Sequence, residues 1–379
     1  MGLLMISVTE VRKRADWKVF LRFPWKVYQN LPEWVPPILS QQKKQLNPGT
    51  GTFFNDGYGS TAGYFLAWRN GEPVGRIAAI SNELHRKTHR DGVGFFGFFE
   101  SIDDRSVADA LLTAAEGWLN ERGFYISRGP TSFTIYDPAG VTVHGGDSRP
   151  GMGMAYTPAY YADLLESNGY RKARDLLAYC FTSECADPVL LNAKIAAFGQ
   201  KAVEEIDIRS LRRHDRTDAE VIANIFKRAW EHNWGAIPLT ADDFLHTQRE
   251  MGPFADERLV YLASKDGQPI AFFIASLDPG EILQKMNGRM GLRGIFEMMF
   301  RRGRLKHARV ILMGVLPEHR NSPAVIRLLF EFYRHWKEFP AVESLEFSWI
   351  LEDNISTRKL IEGIGGRHSH TFRVFEKFM

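Results

Sequence analysis

The chain has 379 residues, of which 44% are hydrophobic and 25% charged. That composition is typical of a soluble globular protein with two domains of ordinary size. The net charge of +3 is too small and too dispersed to indicate a nucleic-acid-binding protein. No apolar run is long enough to span a membrane, and the N-terminus turns charged too early for a signal peptide, so we expect a cytoplasmic protein.

The first half of the chain predicts a strand from Ile6, an aromatic helix that ends near Trp25, and then a hairpin. The hairpin segment, FLAWRNGEPVG, consists of two apolar runs that are separated by Asn-Gly. This pair is the strongest short hairpin signal because both central residues of the turn need a positive φ. A Gly/Pro-rich loop follows at 131–158, and a loop of that length is usually either functional or disordered.

The second half repeats this pattern. The segment YLASKDGQPIA begins at Tyr261 and matches the hairpin that begins at Phe65, an offset of 196 residues (261 − 65). The helix end, glycine stop and closing strand that begin at Leu164 return at Leu360 with the same offset (360 − 164 = 196). An internal repeat of this length predicts two copies of one fold.

Each copy predicts strands and helices that end in a strand-helix-strand unit. We therefore expect the α/β class, with a mixed sheet that helices flank on both faces. The predicted organisation is an N-terminal domain at 1–187, a connecting helix at 188–205, and a C-terminal domain at 206–379 with an insertion at 278–308.

The stretch MGVLPEHRNSPAVIRLLFEFYRHW, which begins at Met313, predicts a strand, a Pro-marked turn and an amphipathic helix. The first turn of a helix offers free backbone N–H groups and the positive end of the helix dipole, so it can bind an anion. An ordinary strand-turn-helix without a ligand is the alternative.

This element order, with GVLPEHR before a helix and EDNISTRKLIEGIGG after a strand, resembles the GNAT acyltransferase superfamily in tandem form over nearly the whole chain. The resemblance implies that acyl-CoA lies between two splayed parallel strands, with its pyrophosphate on the following helix and its acyl group passing directly to an amine. Acetyl-CoA or acyl-CoA would be the co-substrate. The CoA-binding residues would be Met313, Gly314, Val315, Arg320, Asn321, Ser322, Ala324 and Asn354.

Several positions depart from the family pattern. Ser322 and Ala324 stand where glycines are usual, and Ile361 follows Leu360 where many members have a tyrosine that protonates the thiolate. Helix capping also explains Asn354. In the first copy, acidic residues at 103–104 occupy the helix start, where they would cap the helix and repel phosphate. We therefore expect one CoA site, in the second copy, and a structural or channel-shaping role for the first.

Two polar residues, Glu346 and Ser348, interrupt a strand that should be almost wholly apolar. We predict that they are catalytic and that Glu346 assists deprotonation of the amine, since burial would bring the pKa of a carboxylate nearer neutrality. The alternatives are a solvated strand face or a structural hydrogen bond.

The predicted insertion carries an amphipathic segment at 291–309. Its apolar stripe is Leu292, Ile295, Phe296, Met299 and Phe300, and its basic flank is Arg293, Arg301, Arg302, Arg304, Lys306, His307 and Arg309. Such a helix can contact an anionic inner membrane surface or a lipid-like substrate. A lid helix that packs on its own domain is the alternative.

Together these features predict CoA-dependent N-acyl transfer to a small-molecule or lipid-like amine. A non-catalytic acyl-CoA or lipid binding module is the rival function, and turnover with an amine separates the two.

Overall fold

A computed structural model describes residues 5–182, 193, 203–254, 256–291, 296, 302–336 and 338–379 of the protein. The chain forms two compact units. The first comprises Met1–Leu177, Leu283–Gly291 and His370–Met379, and the second comprises Ala178–Ile282 and Leu292–Ser369. Most of the predicted connecting helix at 188–205 lies outside the described residues.

The N-terminal half of the chain alternates strands and helices. Its elements are β1 (Ile6–Glu10), α1 (Arg14–Arg22), α2 (Pro24–Val27), α3 (Leu39–Leu46), β2 (Thr61–Arg69), β3 (Glu72–Ser81), α4 (Glu83–His89), β4 (Val93–Ser101), α5 (Arg105–Asn120), β5 (Ile126–Gly129), β6 (Val141–His144), α6 (Tyr161–Ser167) and β7 (Arg171–Thr182). In the first unit the sheet order is β1-β2-β3-β4-β5, and β4 and β5 are parallel.

Helices cover both faces of this sheet, as the buried residues of β3 demonstrate. Ile77 and Ala79 pack in one core cluster with residues of α5, whereas Ala78 and Ile80 pack in a second cluster with Phe20 of α1. Because alternate residues of a strand point to opposite faces, a strand between two helical layers is apolar throughout. The predicted mixed sheet with helices on both faces is confirmed.

The C-terminal half repeats the pattern. Its elements are β8 (Ile206–Ser210), α7 (Arg216–Trp230), α8 (Ala241–Met251), β9 (Val260–Lys265), β10 (Gln268–Leu277), α9 (Gly280–Met286), β11 (His307–Val315), α10 (Ala324–Trp336), β12 (Ser344–Leu351), α11 (Ile355–Glu362) and β13 (Arg367–Phe378). In the second unit the sheet order is β12-β11-β10-β9-β8, and β11 and β12 are parallel.

The two predicted hairpins are present, and their turns have the expected backbone. Asn70 and Gly71 have φ values of 54° and 79° between β2 and β3. Asp266 and Gly267 have φ values of 51° and 75° between β9 and β10. Positive φ at both central residues is the requirement that made these sequences hairpin signals.

The last strand of the chain belongs to the first unit. Residues from His370 onward belong to that unit. There β13 pairs with β5, with Phe375 opposite Gly129. Phe375 is completely buried in the core cluster that also contains α5. The first sheet is therefore completed by the closing strand of the second copy.

Only part of the predicted insertion can be described. Residues 283–291 count with the first unit, where Trp25 Nε1 donates to Asn287 Oδ1 at 2.6 Å. Residues 292–295 and 297–301, which include most of the apolar stripe, lie outside the described residues. The prediction was wrong for His307 and Arg309, which are residues of β11 and not part of a basic helix flank. Among the helices that the structure describes, none has the length and hydropathy to cross a membrane.

Candidate functional site

The parallel strands β11 and β12 pair along only part of their length. Their register runs from His307 opposite Ser344 to Val310 opposite Phe347. Beyond Val310, β11 continues to Val315 in register with β10, on its other side, whereas its pairing with β12 has ended. A gap therefore opens between two neighbouring parallel strands.

The backbone of β11 directs specific N–H groups into this gap. Leu316 N donates to Ile270 O on the β10 side at 2.9 Å. Backbone groups alternate in direction along a strand, so Gly314 also faces β10. Met313 and Val315 consequently direct their N–H groups toward the gap. Met313, Gly314 and Val315 were predicted at this site, and Met313 and Val315 are the two that carry these donors.

Gly314 contributes in another way. A Cβ atom at this position would lie 2.6 Å from the ring of Phe272 on β10. The absence of a side chain lets the completely buried Phe272 ring pack against the strand. Gly314 therefore fixes the packing beside the gap.

A short turn joins β11 to α10. Ser322 Oγ donates to His319 O at 2.7 Å and accepts from Ala324 N at 3.3 Å. Ala324 is completely buried, which a small residue permits. Because Pro323 has no N–H group, the free N–H groups at this helix start are those of the residues after Ala324.

The positive charge at this turn comes from an exposed arginine. Arg320 Nη2 donates to Ala229 O in α7 at 3.1 Å. Asn321 is exposed beside it. The arginine and the helix dipole both favour an anion at this end of α10.

Glu346 and Ser348 lie together in a buried network with Arg309. Ser348 Oγ donates to Glu346 Oε1 at 2.5 Å and accepts from Arg309 Nε at 2.8 Å. Arg309 Nη2 also donates to Ser348 O at 3.0 Å. Glu346 is 9% exposed and Ser348 5%, so the solvated-face alternative is wrong. Burial lowers the pKa of Arg309, while the charges of Glu346 and Asp278 oppose that shift.

Sequence reasoning missed Arg309 as a member of this network. It stands directly opposite Glu346 in the parallel register. The available signal was a charged residue inside the apolar strand sequence ARVILMGV. We assigned it to the preceding basic segment because strand register cannot be read from one strand alone.

Two further predicted positions have local roles. Asn354 Oδ1 accepts from Thr357 N at 3.2 Å and caps α11, in line with the capping alternative. Ile361, which stands where the family often has a tyrosine, is completely buried in the core. Neither observation identifies a donor for the leaving-group proton.

In the first unit the backbone position equivalent to Val315 is already occupied by a protein group. Val315 pairs with Ala271, and Ser101 pairs with Gly75, which is 196 residues before Ala271 (271 − 75). Ser101 N donates to the Tyr161 hydroxyl of α6 at 3.1 Å. This N–H group is therefore satisfied within the first unit.

A buried polar cluster surrounds that contact. The Tyr161 hydroxyl donates to Glu100 Oε2 at 2.7 Å, and the Tyr160 hydroxyl donates to Ser101 O at 2.8 Å. Burial raises the pKa of Tyr161 and of Glu100. The end of β4 is therefore covered by side chains that bond to one another.

The start of α5 carries its own anion, as the sequence predicts. Asp104 Oδ1 accepts from Ser106 N at 2.9 Å and from Val107 N at 3.3 Å, and Arg69 Nη2 pairs with Oδ2 at 2.6 Å. Burial alone would raise the pKa of Asp104, but these hydrogen bonds lower it below its ordinary value. The predicted acidic cap is confirmed for Asp104.

Comparison with known proteins gives one relative whose name states no activity and another whose name states one. Protein YghO of Escherichia coli K12 is 30% identical over 373 residues, which cover 96% of this chain and 93% of that protein. The bacterial ceramide synthase of Caulobacter vibrioides is 28% identical over 379 residues, which cover 98% of this chain and 97% of that protein. No protein-family model matches the sequence.

The fold has a counterpart of the same length among solved structures. A tandem GNAT protein from the clavulanic acid biosynthesis pathway, without AcCoA, is 11% identical with a TM-score of 0.56, and the match covers 98% of each chain. The mixed parallel and antiparallel strand order of each unit is part of the architecture that this match covers. By its similarity to protein YghO over almost its whole length, the chain belongs to the family of that protein, and its fold is that of tandem GNAT proteins.

Proposed function

We propose that the chain is a CoA-dependent N-acyltransferase whose second unit transfers an acyl group from acyl-CoA to an amine. The observation that carries this proposal is the gap between β11 and β12, into which the N–H groups of Met313 and Val315 point. Donors placed where negative charge develops on a thioester oxygen lower the barrier to acyl transfer.

The residues around the gap suit acyl-CoA. In the first unit the N–H group equivalent to that of Val315 is bonded to the Tyr161 hydroxyl, so this backbone position can hold a polar oxygen. In the second unit a thioester carbonyl would accept that bond. Arg320, Asn321 and the N–H groups that follow Ala324 would hold the pyrophosphate at the start of α10, while the small residues Ser322 and Ala324 would let it approach the turn. The bound acyl-CoA supplies the activated acyl group.

The acid-base chemistry would centre on Glu346. An amine that arrives as an ammonium must lose a proton before it attacks, and a carboxylate beside the gap can accept it. Ser348 Oγ donates to Glu346 and accepts from Arg309, so the carboxylate is held in one orientation. In this proposal Glu346 is the base, and Ser348 and Arg309 position it.

The acceptor we propose is a lipid-like amine. Support comes from the relative named bacterial ceramide synthase, which is similar along nearly the whole chain. The predicted segment at 291–309 would add peripheral contact with an anionic membrane. Phe296, within this segment, is 59% exposed, which leaves a large apolar side chain on the surface there.

Two observations favour the rival function, a non-catalytic acyl-CoA or lipid binding module. Asn354 is used as a helix cap, and Ile361 replaces the usual proton donor with a buried apolar residue. A module that only binds would tolerate both changes.

Release of free CoA thiol from dodecanoyl-CoA, followed with and without sphinganine, tests the proposal. We expect thiol release that depends on the amine and the matching amide by mass spectrometry. Tight binding of dodecanoyl-CoA with no amide from sphinganine, dodecylamine or butylamine would favour the binding module.

A further inference from the structure

Four aromatic rings form a continuous row in the second unit. Trp349 of β12 lies 5.7 Å from Trp230 of α7, centroid to centroid, and Trp230 stacks on Phe226 at 4.8 Å. Phe226 in turn meets the edge of Phe244 on α8 at 5.9 Å. We call these four residues the aromatic row.

The aromatic row starts at the candidate site. Trp349 directly follows Ser348, whose hydroxyl bonds to Glu346. Ser348 and Trp349 lie beyond Phe347, the last residue of β12 that pairs with β11. A molecule whose reacting group reaches Glu346 therefore has the row beside it.

The surface of the row is partly open. Trp349, Trp230 and Phe244 are each partly exposed, and only Phe226 is buried. On α8, whose residues are all described, Ala241 is the single fully buried residue. A contiguous apolar surface of this kind can mark a ligand-binding groove.

The strand beside the gap is open in the same way. Leu312 in β11 is partly exposed, and because it pairs with Ile274, the neighbour of Phe273, its side chain lies on the face opposite to Phe273. The equivalent strand of the first unit, β4, is buried at every position from Val93 to Phe99. A strand between helical layers should resemble β4. The apolar surface left open in β11 is therefore peculiar to the second unit.

Buried aromatic rings lie on the other face of the second sheet. Phe273 of β10 and Phe332 of α10 pack with ring centroids 5.2 Å apart, and both are buried. Phe347 of β12 is also buried, against Phe181. An apolar ligand that starts at the gap would therefore meet partly exposed aromatic rings on the side of the aromatic row and buried rings on this side.

We propose that the aromatic row and the open part of β11 form a subsite for a hydrocarbon chain. The inference rests on the proposed function, because that reaction brings two molecules to the gap, each of which can carry an alkyl chain. The chain belongs either to the acceptor amine or to the acyl group. Both have the same chemistry, a flexible apolar tail next to a polar reacting group.

Calorimetric titration of the full chain distinguishes the two sources. One arm uses butylamine, octylamine and dodecylamine below their micellar concentrations, and the other uses acetyl-CoA, octanoyl-CoA and dodecanoyl-CoA. Burial of each methylene should tighten binding by about fourfold. We expect this dependence on chain length in at least one arm, and the arm in which it occurs identifies the source of the tail.

Variants connect the dependence to the row. Phe244→Ala and Trp230→Leu should each weaken binding of the longest ligand at least about tenfold and leave the shortest ligand unchanged. Phe339→Ala is the matched control, because Phe339 is also partly exposed but its ring is covered by Arg258 at 4.2 Å. Affinity that does not depend on chain length in either arm would overturn the proposal. Equal losses of affinity for Phe244→Ala and Phe339→Ala would also overturn it.

The readout separates this inference from the proposed function. Turnover of butylamine with no dependence of affinity on chain length would leave the acyltransferase standing and remove the subsite. A dependence on chain length that Phe244→Ala abolishes, together with no amide product, would keep the subsite and remove the acyltransferase.

Discussion

At the residue scale, Ser348 joins two opposite charges through one hydroxyl group. It accepts a hydrogen bond from Arg309 and donates its own proton to Glu346. Because that proton is committed to the carboxylate, Ser348 is not available as the acid that protonates a leaving thiolate. The carboxylate of Glu346 is the only group of this trio that can accept a proton.

Glu346→Gln should lower turnover at least about tenfold, since an amide cannot act as a base and base catalysis is typically worth about 10²–10⁴ in rate. The loss should shrink at high pH, where more of the amine is already deprotonated. The measurement is the pH profile of amide formation. Glu343→Gln is the control, because Glu343 carries the same group at the surface, paired with Lys306 at 2.8 Å.

A structural role for Glu346 predicts a different profile. Turnover by Glu346→Gln that equals wild type from about pH 6 to pH 9 would show that the carboxylate only balances Arg309.

At the element scale, β11 serves the site through its two edges. One edge pairs with β10 from Ala308 to Val315, with a bulge at Ile311, whereas the other pairs with β12 only as far as Val310. The shape of the gap therefore depends on how firmly β10 holds β11. The contact between Gly314 and the Phe272 ring is part of the packing that keeps β11 against β10.

Gly314→Ala should destabilise the protein by about 1–3 kcal/mol, because an added methyl in a packed core forces its neighbours to shift. The measurement is the free energy of unfolding in urea. Gly303→Ala is the control, since a Cβ atom there meets nothing within 4 Å. Equal stability of the two variants would contradict the account of Gly314 as a packing residue.

The sequence predicted the hairpins because their signals are local. Asn70-Gly71 and Asp266-Gly267 specify their turns through their own backbone preferences, whatever surrounds them. The pairing of Arg309 with Glu346 could not be predicted, because it depends on the register of two strands that are distant in sequence. The contact of Tyr161 with Ser101 depends on tertiary packing for the same reason.

At the scale of the whole molecule, the two copies of the fold have diverged at equivalent positions. The first has Asp104 at its helix start and Tyr161 on its strand backbone. The second has Arg320 near its helix start and a gap beside Val315. The copies are therefore unequal in both features that acyl-CoA would use.

Calorimetry with octanoyl-CoA should find about one site per chain, because an anion and a hydroxyl already fill the positions in the first unit. Arg320→Glu should weaken binding at least about tenfold by removing a charge-assisted contact to phosphate. Arg105→Glu, at the exposed start of α5, is the matched control and should bind like wild type. Two equivalent sites would refute this prediction.

Membrane contact can be tested on anionic vesicles that contain phosphatidylserine. Arg302→Glu combined with Arg304→Glu should abolish binding in a salt-sensitive way, since each basic residue near such a surface contributes about 1 kcal/mol. The combination of Lys43→Glu and Lys44→Glu, an exposed pair on α3, makes the same change in charge and should still bind. Sedimentation with vesicles is the measurement. Wild-type protein that stays in the supernatant with these vesicles would contradict the predicted membrane contact.

The membership of β13 in the first unit has a consequence for synthesis on the ribosome. Phe375 is part of the first unit's core, and Lys377 Nζ pairs with Glu116 at 3.0 Å. Domains usually fold in order as the chain emerges. Here the N-terminal unit must wait for almost the entire chain to be translated. Until then its sheet has an unpaired edge, which is the kind of surface that chaperones protect.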